Sequence, residues 1–254
     1  DARGAPGVHL ILTADDVEAM GIKLGMSYSR VPTLDGGKGA APERPFLARK
    51  RLRFVGEPIA IIVAETLAQA KDAAELIELD YDELPAHLGL APGGTALHDE
   101  APDNLAFDYG KGDREGTEAA FAAAAHTVKL RIEDNRITCN SMEPRGAYAE
   151  WDGSRLHVCF GGQGVWGLKD ELSGLFGMDR EDLRITNPDV GGGFGMKGMN
   201  YPEYFAIAAA AKSLGRAVRW MSDIVPSAFS RSSTMSAMFR IVPPASNTET
   251  LSRS

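Results

Sequence analysis

Hydrophobic and polar positions divide the chain into short segments that alternate between strand-like and helix-like periods. Residues 8–12 predict a strand, and Thr13, followed by Ala14-Asp15-Asp16-Val17, is a good N-cap for a short helix with acids in its first turn. Residues 52–55 and 59–63 are β-rich runs separated by Gly56-Glu57-Pro58, a turn signal. Thr66-Leu67-Ala68-Gln69 is a capping-box pattern that opens an amphipathic helix to about Leu76, and residues 77–81 return to strand-like alternation. Residues 21–44 carry many Gly, Pro and Ser with little periodicity and predict a loop. The order strand–helix–strand–strand–helix–strand predicts a compact α+β unit ending near Pro85.

Residues 85–116, with many Gly, Pro, Asp and Asn, read as an extended linker; such a length inside one compact domain is unusual, which favours two domains. An Ala-rich segment around Phe121 follows, then a predicted strand at 127–132. Residues 147–151 and 156–160 flank Asp152-Gly153-Ser154 and predict a hairpin. Val165, Leu168, Leu172, Leu175 and Phe176 share one helical face, with Gly177 placed to terminate that helix. A strand at 183–187, a helix at 201–214 stopped by Gly215, and a strand at 217–221 complete the pattern. Beyond Asp223 the chain is rich in Ser, Thr and Pro and offers no core face, so residues 224–254 are expected to be a disordered or aberrant tail.

Composition narrows the partners. With 254 residues, 44% hydrophobic and 24% charged, the chain has the make-up of a soluble globular protein of one or two domains. A formal net charge of -8 argues against nucleic acid or an anionic membrane as the main partner. The single basic run, Arg49-Lys50-Arg51-Leu52-Arg53, is read as leading into a strand rather than gripping phosphate. No apolar run approaches the ~20 residues needed to span a bilayer, and no signal peptide pattern is visible in a chain that begins at Asp1. Cys139 and Cys159 show no CxxC pairing, fit a reducing compartment, and are expected to be plain buried residues; the five dispersed histidines form no zinc or non-haem iron pattern.

Candidate chemistry concentrates in Asp189-Val190-Gly191-Gly192-Gly193-Phe194-Gly195-Met196-Lys197, between a predicted strand and a predicted helix. Glycine there permits positive φ and close backbone approach. Two readings stand: a main-chain cradle for an anionic or oxo-bearing ligand at a helix N-terminus, or a tight crossover with nothing bound. Gly162-Gln163-Gly164-Val165-Trp166-Gly167 satisfies the dinucleotide string G-x-G-x-x-G after a strand and before a helix, with Asp189 near the place of a ribose-binding acid. Gly193–Gly198 matches the string again, so the pattern is permissive. Gln163 suits a side chain that hydrogen-bonds a ligand directly. Met196 before Lys197, with no Ser or Thr after it, excludes a Walker A loop, and no G-x-S-x-G supports serine catalysis. Glu143-Pro144-Arg145 reads as a structural ion-pairing turn in preference to a ligand-proximal one.

The Gly-rich run, followed by Tyr201-Pro202-Glu203-Tyr204, resembles the molybdenum-binding large subunit of the xanthine dehydrogenase/aldehyde oxidase family, especially the branch of carbon monoxide dehydrogenase large chains. Arg53-Phe54-Val55-Gly56-Glu57-Pro58-Ile59-Ala60, with Asp80-Tyr81-Asp82-Glu83-Leu84-Pro85, is similar to the family's N-terminal α/β hammerhead domain. Leu97-His98-Asp99-Glu100-Ala101-Pro102 resembles the linker that follows it, and Asn140-Ser141-Met142-Glu143-Pro144-Arg145 the segment opening the cofactor-binding domain. The resemblance covers residues 4–223 and implies a hammerhead domain at 1–87, a linker at 88–116 and part of a molybdopterin-binding domain at 117–223.

By position, the resemblance makes Gln163 the glutamine that hydrogen-bonds the molybdenum–molybdopterin cofactor, expected in its cytosine dinucleotide form. It places Gly192, Gly193, Phe194 and Gly195 along the molybdenum centre. Gly161-Gly162-Gln163 replaces the family's Ser-Thr-Gln, and Gly198 stands where xanthine dehydrogenases have a substrate-binding Glu, which argues against purines. The family's general-base Glu, in a C-terminal Gly-x-Gly-Glu, is not in this sequence, so no catalytic residue or metal ligand is assigned. The resemblance further implies iron–sulfur and FAD partner subunits, a small-molecule substrate and a cytoplasmic location. The chain is then expected to be a fragment with a frame-shifted or artificial ending, inactive alone. An NAD-type dehydrogenase using residues 162–167, or a non-catalytic remnant, are the alternatives.

Overall fold

The computed structural model describes residues 1–26, 30–88, 91–134, 139, 141–222 and the backbone of 238–241. Local sequence dictates the first elements. Strand β1 (Val8–Thr13) ends on Thr13, whose hydroxyl accepts the Asp16 N–H while Asp16 accepts the Thr13 N–H. This reciprocal cap opens α1 (Ala14–Ala19). Two-residue strands β2 (Gly25–Met26) and β3 (Arg44–Pro45) pair across the segment 21–44 expected to be all loop. Strand β4 (Ala60–Ala64) is buried throughout, and Thr66 with Gln69 repeats the reciprocal cap at α2 (Leu67–Glu75).

Helix α3 (Arg114–Ala123) is capped by Asp113. Strands β5 (Gly146–Trp151) and β6 (Leu156–Phe160) form the expected hairpin, and α4 (Trp166–Phe176) stops at Gly177, whose φ of 61° is left-handed. Then come β7 (Leu183–Thr186), α5 (Pro202–Leu214, ended by left-handed Gly215), β8 (Val218–Met221) and β9 (Met238–Ile241). The observed class is α+β, as the sequence indicates.

The chain divides into two compact units, Asp1–Ser27 with Arg44–Tyr81 and Cys139–Ser254, and Tyr28–Glu43 with Asp82–Thr138. The first holds a mixed sheet in the order β1-β4-β9-β8-β5-β6-β7. Only β4/β9 and β6/β7 are parallel. Helix α5 lies on this sheet and is buried from Glu203 to Ala211 on all sides, which its run Ala206-Ile207-Ala208-Ala209-Ala210-Ala211 permits. Phe205 stacks on Phe46 at 5.8 Å and Tyr204 meets Phe160 at 5.1 Å. One core thus joins residues of both sequence halves. In the second unit, Asn104 holds its loop by accepting the Leu97 N–H and donating to the Gly93 and Thr95 carbonyls.

Three expected strands do not form. Residues 52–55 run into a turn closed by the Glu57 N–H on the Phe54 carbonyl, with Phe54 and Val55 exposed, so the basic run 49–53 leads into no strand. Arg49 instead forks between Asp15 and Glu18 at 2.8 and 2.6 Å. At 77–81 the chain leaves α2 with Leu79 and Tyr81 exposed, and at 127–132 Val128, Leu130 and Ile132 are exposed in alternation with no neighbouring strand among the described residues. Alternation supplies a face; a strand also needs a ladder partner. Cys139 is exposed and Cys159 half-buried, so the expectation of buried thiols fails. The expected tail at 224–254 lies outside the described residues except for β9, which pairs with β4 and β8.

The close seat of α5 gives a stability test. Ala209→Leu adds volume where the side chain is fully buried, and is expected to cost about 1–3 kcal/mol, read from urea unfolding.

Candidate cofactor-binding site

Three segments of the first unit meet beyond the carboxyl ends of β6 and β7: residues 141–145 before β5, 161–165 between β6 and α4, and 189–198 after β7. The adjacent parallel pair β6/β7 makes this a strand–helix–strand crossover, where open α/β sheets bind ligands. Asn187 extends the β6/β7 ladder with its side chain, accepting the Gly162 N–H at 3.2 Å and donating to the Gly162 carbonyl at 2.7 Å. The Gln163 N–H donates to the Lys197 carbonyl at 3.0 Å, so the backbone of Gln163 is fixed against the Gly-rich loop.

Successive glycines make room for four neighbouring side chains. A Cβ at Gly191 would lie 2.7 Å from the Glu143 Cβ; at Gly192, 2.8 Å from the Phe194 ring and 3.3 Å from the Ser141 Cβ; at Gly193, 2.5 Å from the Gln163 Oε1. Gln163 therefore lies directly on Gly193. Gly192, Phe194 and Gly195 take φ of 98°, 50° and 82°. For Phe194 this is a left-handed conformation that a side chain disfavours, and its ring is 71% exposed.

Beneath the loop, the Lys197 side chain is fully buried. Its Nζ donates to the Glu143 Oε2 at 2.6 Å, and the same oxygen accepts the Gly191 N–H at 2.7 Å. The Lys197 hydrogen bond first, and the Gly191 N–H second, hold the Glu143 carboxyl below its ordinary pKa. The Lys197 N–H reaches back to the Gly193 carbonyl at 3.4 Å, and Gly198 to the Gly195 carbonyl at 3.1 Å. Arg145 forks onto both Glu203 oxygens at 3.1 Å and lies 3.8 Å over the Tyr201 ring. Burial works against its charge, but Glu203 outweighs this and raises its pKa. The Tyr201 hydroxyl donates to the Met196 carbonyl, tying the start of α5 to the loop.

Among the described residues, the N–H groups of Gly192, Gly193, Phe194 and Gly195 donate to no protein acceptor. The nearby N-terminus of α4 carries no side-chain cap. Free amides, an amide side chain and an uncapped helix start form a donor set that fits an anionic, oxygen-rich group. The sequence-assigned residues Gln163, Gly192, Gly193, Phe194 and Gly195 thus come together. The 143–145 turn is the ion-pairing turn the sequence indicates, with Glu143 on Lys197 and Arg145 on Glu203; sequence reasoning missed Lys197 and Asn187 as the rest of the framework beneath the site. The signals present were a lysine ending the Gly-rich run and an acid in the 143–145 turn.

Comparison with known proteins gives the family. The family model for the molybdopterin cofactor-binding domain matches residues 97–239, and that for the aldehyde oxidase and xanthine dehydrogenase a/b hammerhead domain matches residues 1–85. The chain belongs to the molybdenum-binding large-subunit family of the xanthine dehydrogenase and aldehyde oxidase type. Members of this family are molybdenum-dependent oxidoreductases. The chain is 34% identical over 223 residues to the nicotine 6-hydroxylase large subunit of Paenarthrobacter nicotinovorans, covering 86% of this chain and 26% of the relative. It is 31% identical over 242 residues to the carbon monoxide dehydrogenase large chain of Hydrogenophaga pseudoflava, covering 88% and 29%. The crystal structure of Cu,Mo-CO dehydrogenase in its carbon monoxide-reduced state superposes with a TM-score of 0.72 at 28% identity, over 87% of this chain and 29% of that one. The chain spans less than a third of the length of these relatives. Among the described residues, no helix is long and apolar enough to cross a membrane.

The strained Phe194 can be tested directly. Phe194→Gly removes an exposed ring and left-handed strain of about 1–2 kcal/mol, set against the ~0.5–1 kcal/mol entropic cost of glycine. Urea unfolding is expected to change by no more than about 1 kcal/mol, far from the ~3–5 kcal/mol lost when a packed Phe is truncated.

Proposed function

We propose that this chain forms one wall of a molybdenum–molybdopterin site in a hydroxylase or dehydrogenase large subunit. The observation that carries the reading is the run of four unpaired amides, Gly192 to Gly195, with Gln163 lying across it. These amides would donate to oxygens of the cofactor, and Gln163 would offer both a donor and an acceptor beside them. Phe194 borders the substrate approach with its exposed ring. When bound, the molybdenum centre supplies two-electron oxidation of the substrate.

The cofactor is taken in its cytosine dinucleotide form, and electrons leave through iron–sulfur and FAD subunits of a cytoplasmic hetero-oligomer. The relatives named for nicotine hydroxylation and carbon monoxide oxidation bracket the class of small-molecule substrate. Glu143 is a poor general base, since Lys197 and Gly191 already engage its carboxylate and lower its pKa. Glu143 is therefore not assigned as the base, and the 254-residue chain alone is expected to show no turnover.

The test is cofactor content after expression in a host that makes the molybdenum pterin. Molybdenum and the fluorescent oxidised pterin should co-purify with the protein. Gly193→Ala, whose φ tolerates a side chain, pushes Gln163 aside and is expected to reduce both by about tenfold or more, the value of one strong hydrogen bond, with little change in Tm. Wild-type protein without pterin, or unchanged content in the variant, counts against the reading.

A further inference from the structure

We propose that Glu143 and Lys197 are positioning residues: a latch that fixes the Gly-rich loop to the turn before β5 and so sets where Gln163 and the free amides point. Its functional half rests on the cofactor reading above; the latch itself does not. Lys197 lies inside the protein with its ammonium on a single carboxylate oxygen, and an ammonium there without its partner is strongly disfavoured. That same oxygen takes the Gly191 N–H, so one carboxylate holds both ends of the loop. Gly191 allows this approach, because any side chain would collide with the Glu143 Cβ.

Lys197 then transmits the constraint through its backbone. Its N–H holds the Gly193 carbonyl and its carbonyl holds the Gln163 N–H. A shift of Lys197 must therefore move both cofactor-facing elements together. The neighbouring pair Arg145–Glu203 has a separate task, since it anchors the start of α5 and touches none of these atoms. Loop order and helix order thus depend on different ion pairs, which lets an experiment separate positioning from general stability.

The measurement is residue-level amide hydrogen exchange on cofactor-free protein, paired with the rate of pterin loss from loaded protein. In Glu143→Gln, the amides of Gly191, Lys197, Gly198 and Gln163 are expected to exchange about tenfold faster while those of 205–211 in α5 keep their protection. Pterin loss should accelerate by a similar factor. If the single variant does not fold, Glu143→Gln with Lys197→Met leaves no buried charge and gives the same reading. Wild-type protection at the four amides, or acceleration shared equally with α5, overturns the latch. Faster exchange with an unchanged pterin loss rate overturns the positioning role. Faster exchange in a protein that never takes up pterin supports the latch and rejects the cofactor reading.

Discussion

A buried charge has to meet its counter-ion, and that constraint organises the Gly-rich site of this protein. Residues 143–145 carry an acid and a base separated only by proline, and each goes to a different part of the structure. Glu143 reaches Lys197 under the Gly-rich loop, while Arg145 reaches Glu203 in the first turn of α5. Proline keeps the turn short and limits its backbone freedom. The loop and the helix that follows it are thereby referred to one point at the start of β5. Arg145 is also sandwiched near Tyr201 and Trp220, which excludes water from the Glu203 pair. Solvent reaches Glu143 more freely, and its bond to Lys197 is correspondingly the more open to perturbation.

Close packing of α5 makes this arrangement possible. A helix whose buried positions are mostly alanine can approach a sheet nearer than one carrying leucines, and Ala208 to Ala211 are all fully buried. The approach brings Glu203 within reach of Arg145 and puts Tyr201 under the Met196 carbonyl. Small residues therefore do two jobs at different scales: alanines set the helix height, and glycines let the loop above it touch Glu143, Ser141 and Gln163. In both cases the absence of side-chain volume is what specifies the geometry.

The parts legible in the sequence were those governed by neighbours along the chain. Thr13 and Thr66 cap their helices through residues three positions on, and Gly177 and Gly215 terminate helices by adopting left-handed φ. The strands expected at 52–55, 77–81 and 127–132 failed because periodicity says nothing of whether a ladder edge is available. Strand β9 went unforeseen for the converse reason, since its pairing with β4 and β8 comes entirely from distant segments. The site shows the same division. The Gly run announced itself, and Gln163 followed from the family pattern around it. Lys197 received no role once a Walker A loop was excluded, since its partner lies 54 residues earlier and only the fold brings them together.

Phe194 brings these strands of argument to one residue. Glycine would satisfy its left-handed backbone without strain, as Gly192 and Gly195 do on either side. Its ring adds little to the core, because most of it faces solvent. A conformation that disfavours a side chain, holding one that does not pack, is poorly explained by folding. It is well explained if the ring is needed where the loop faces its ligand. The latch beneath it supplies the rigidity that keeps such a residue in place. Strain at Phe194 and order at Lys197 are then two sides of one requirement: a bare backbone wall that must stay open and still.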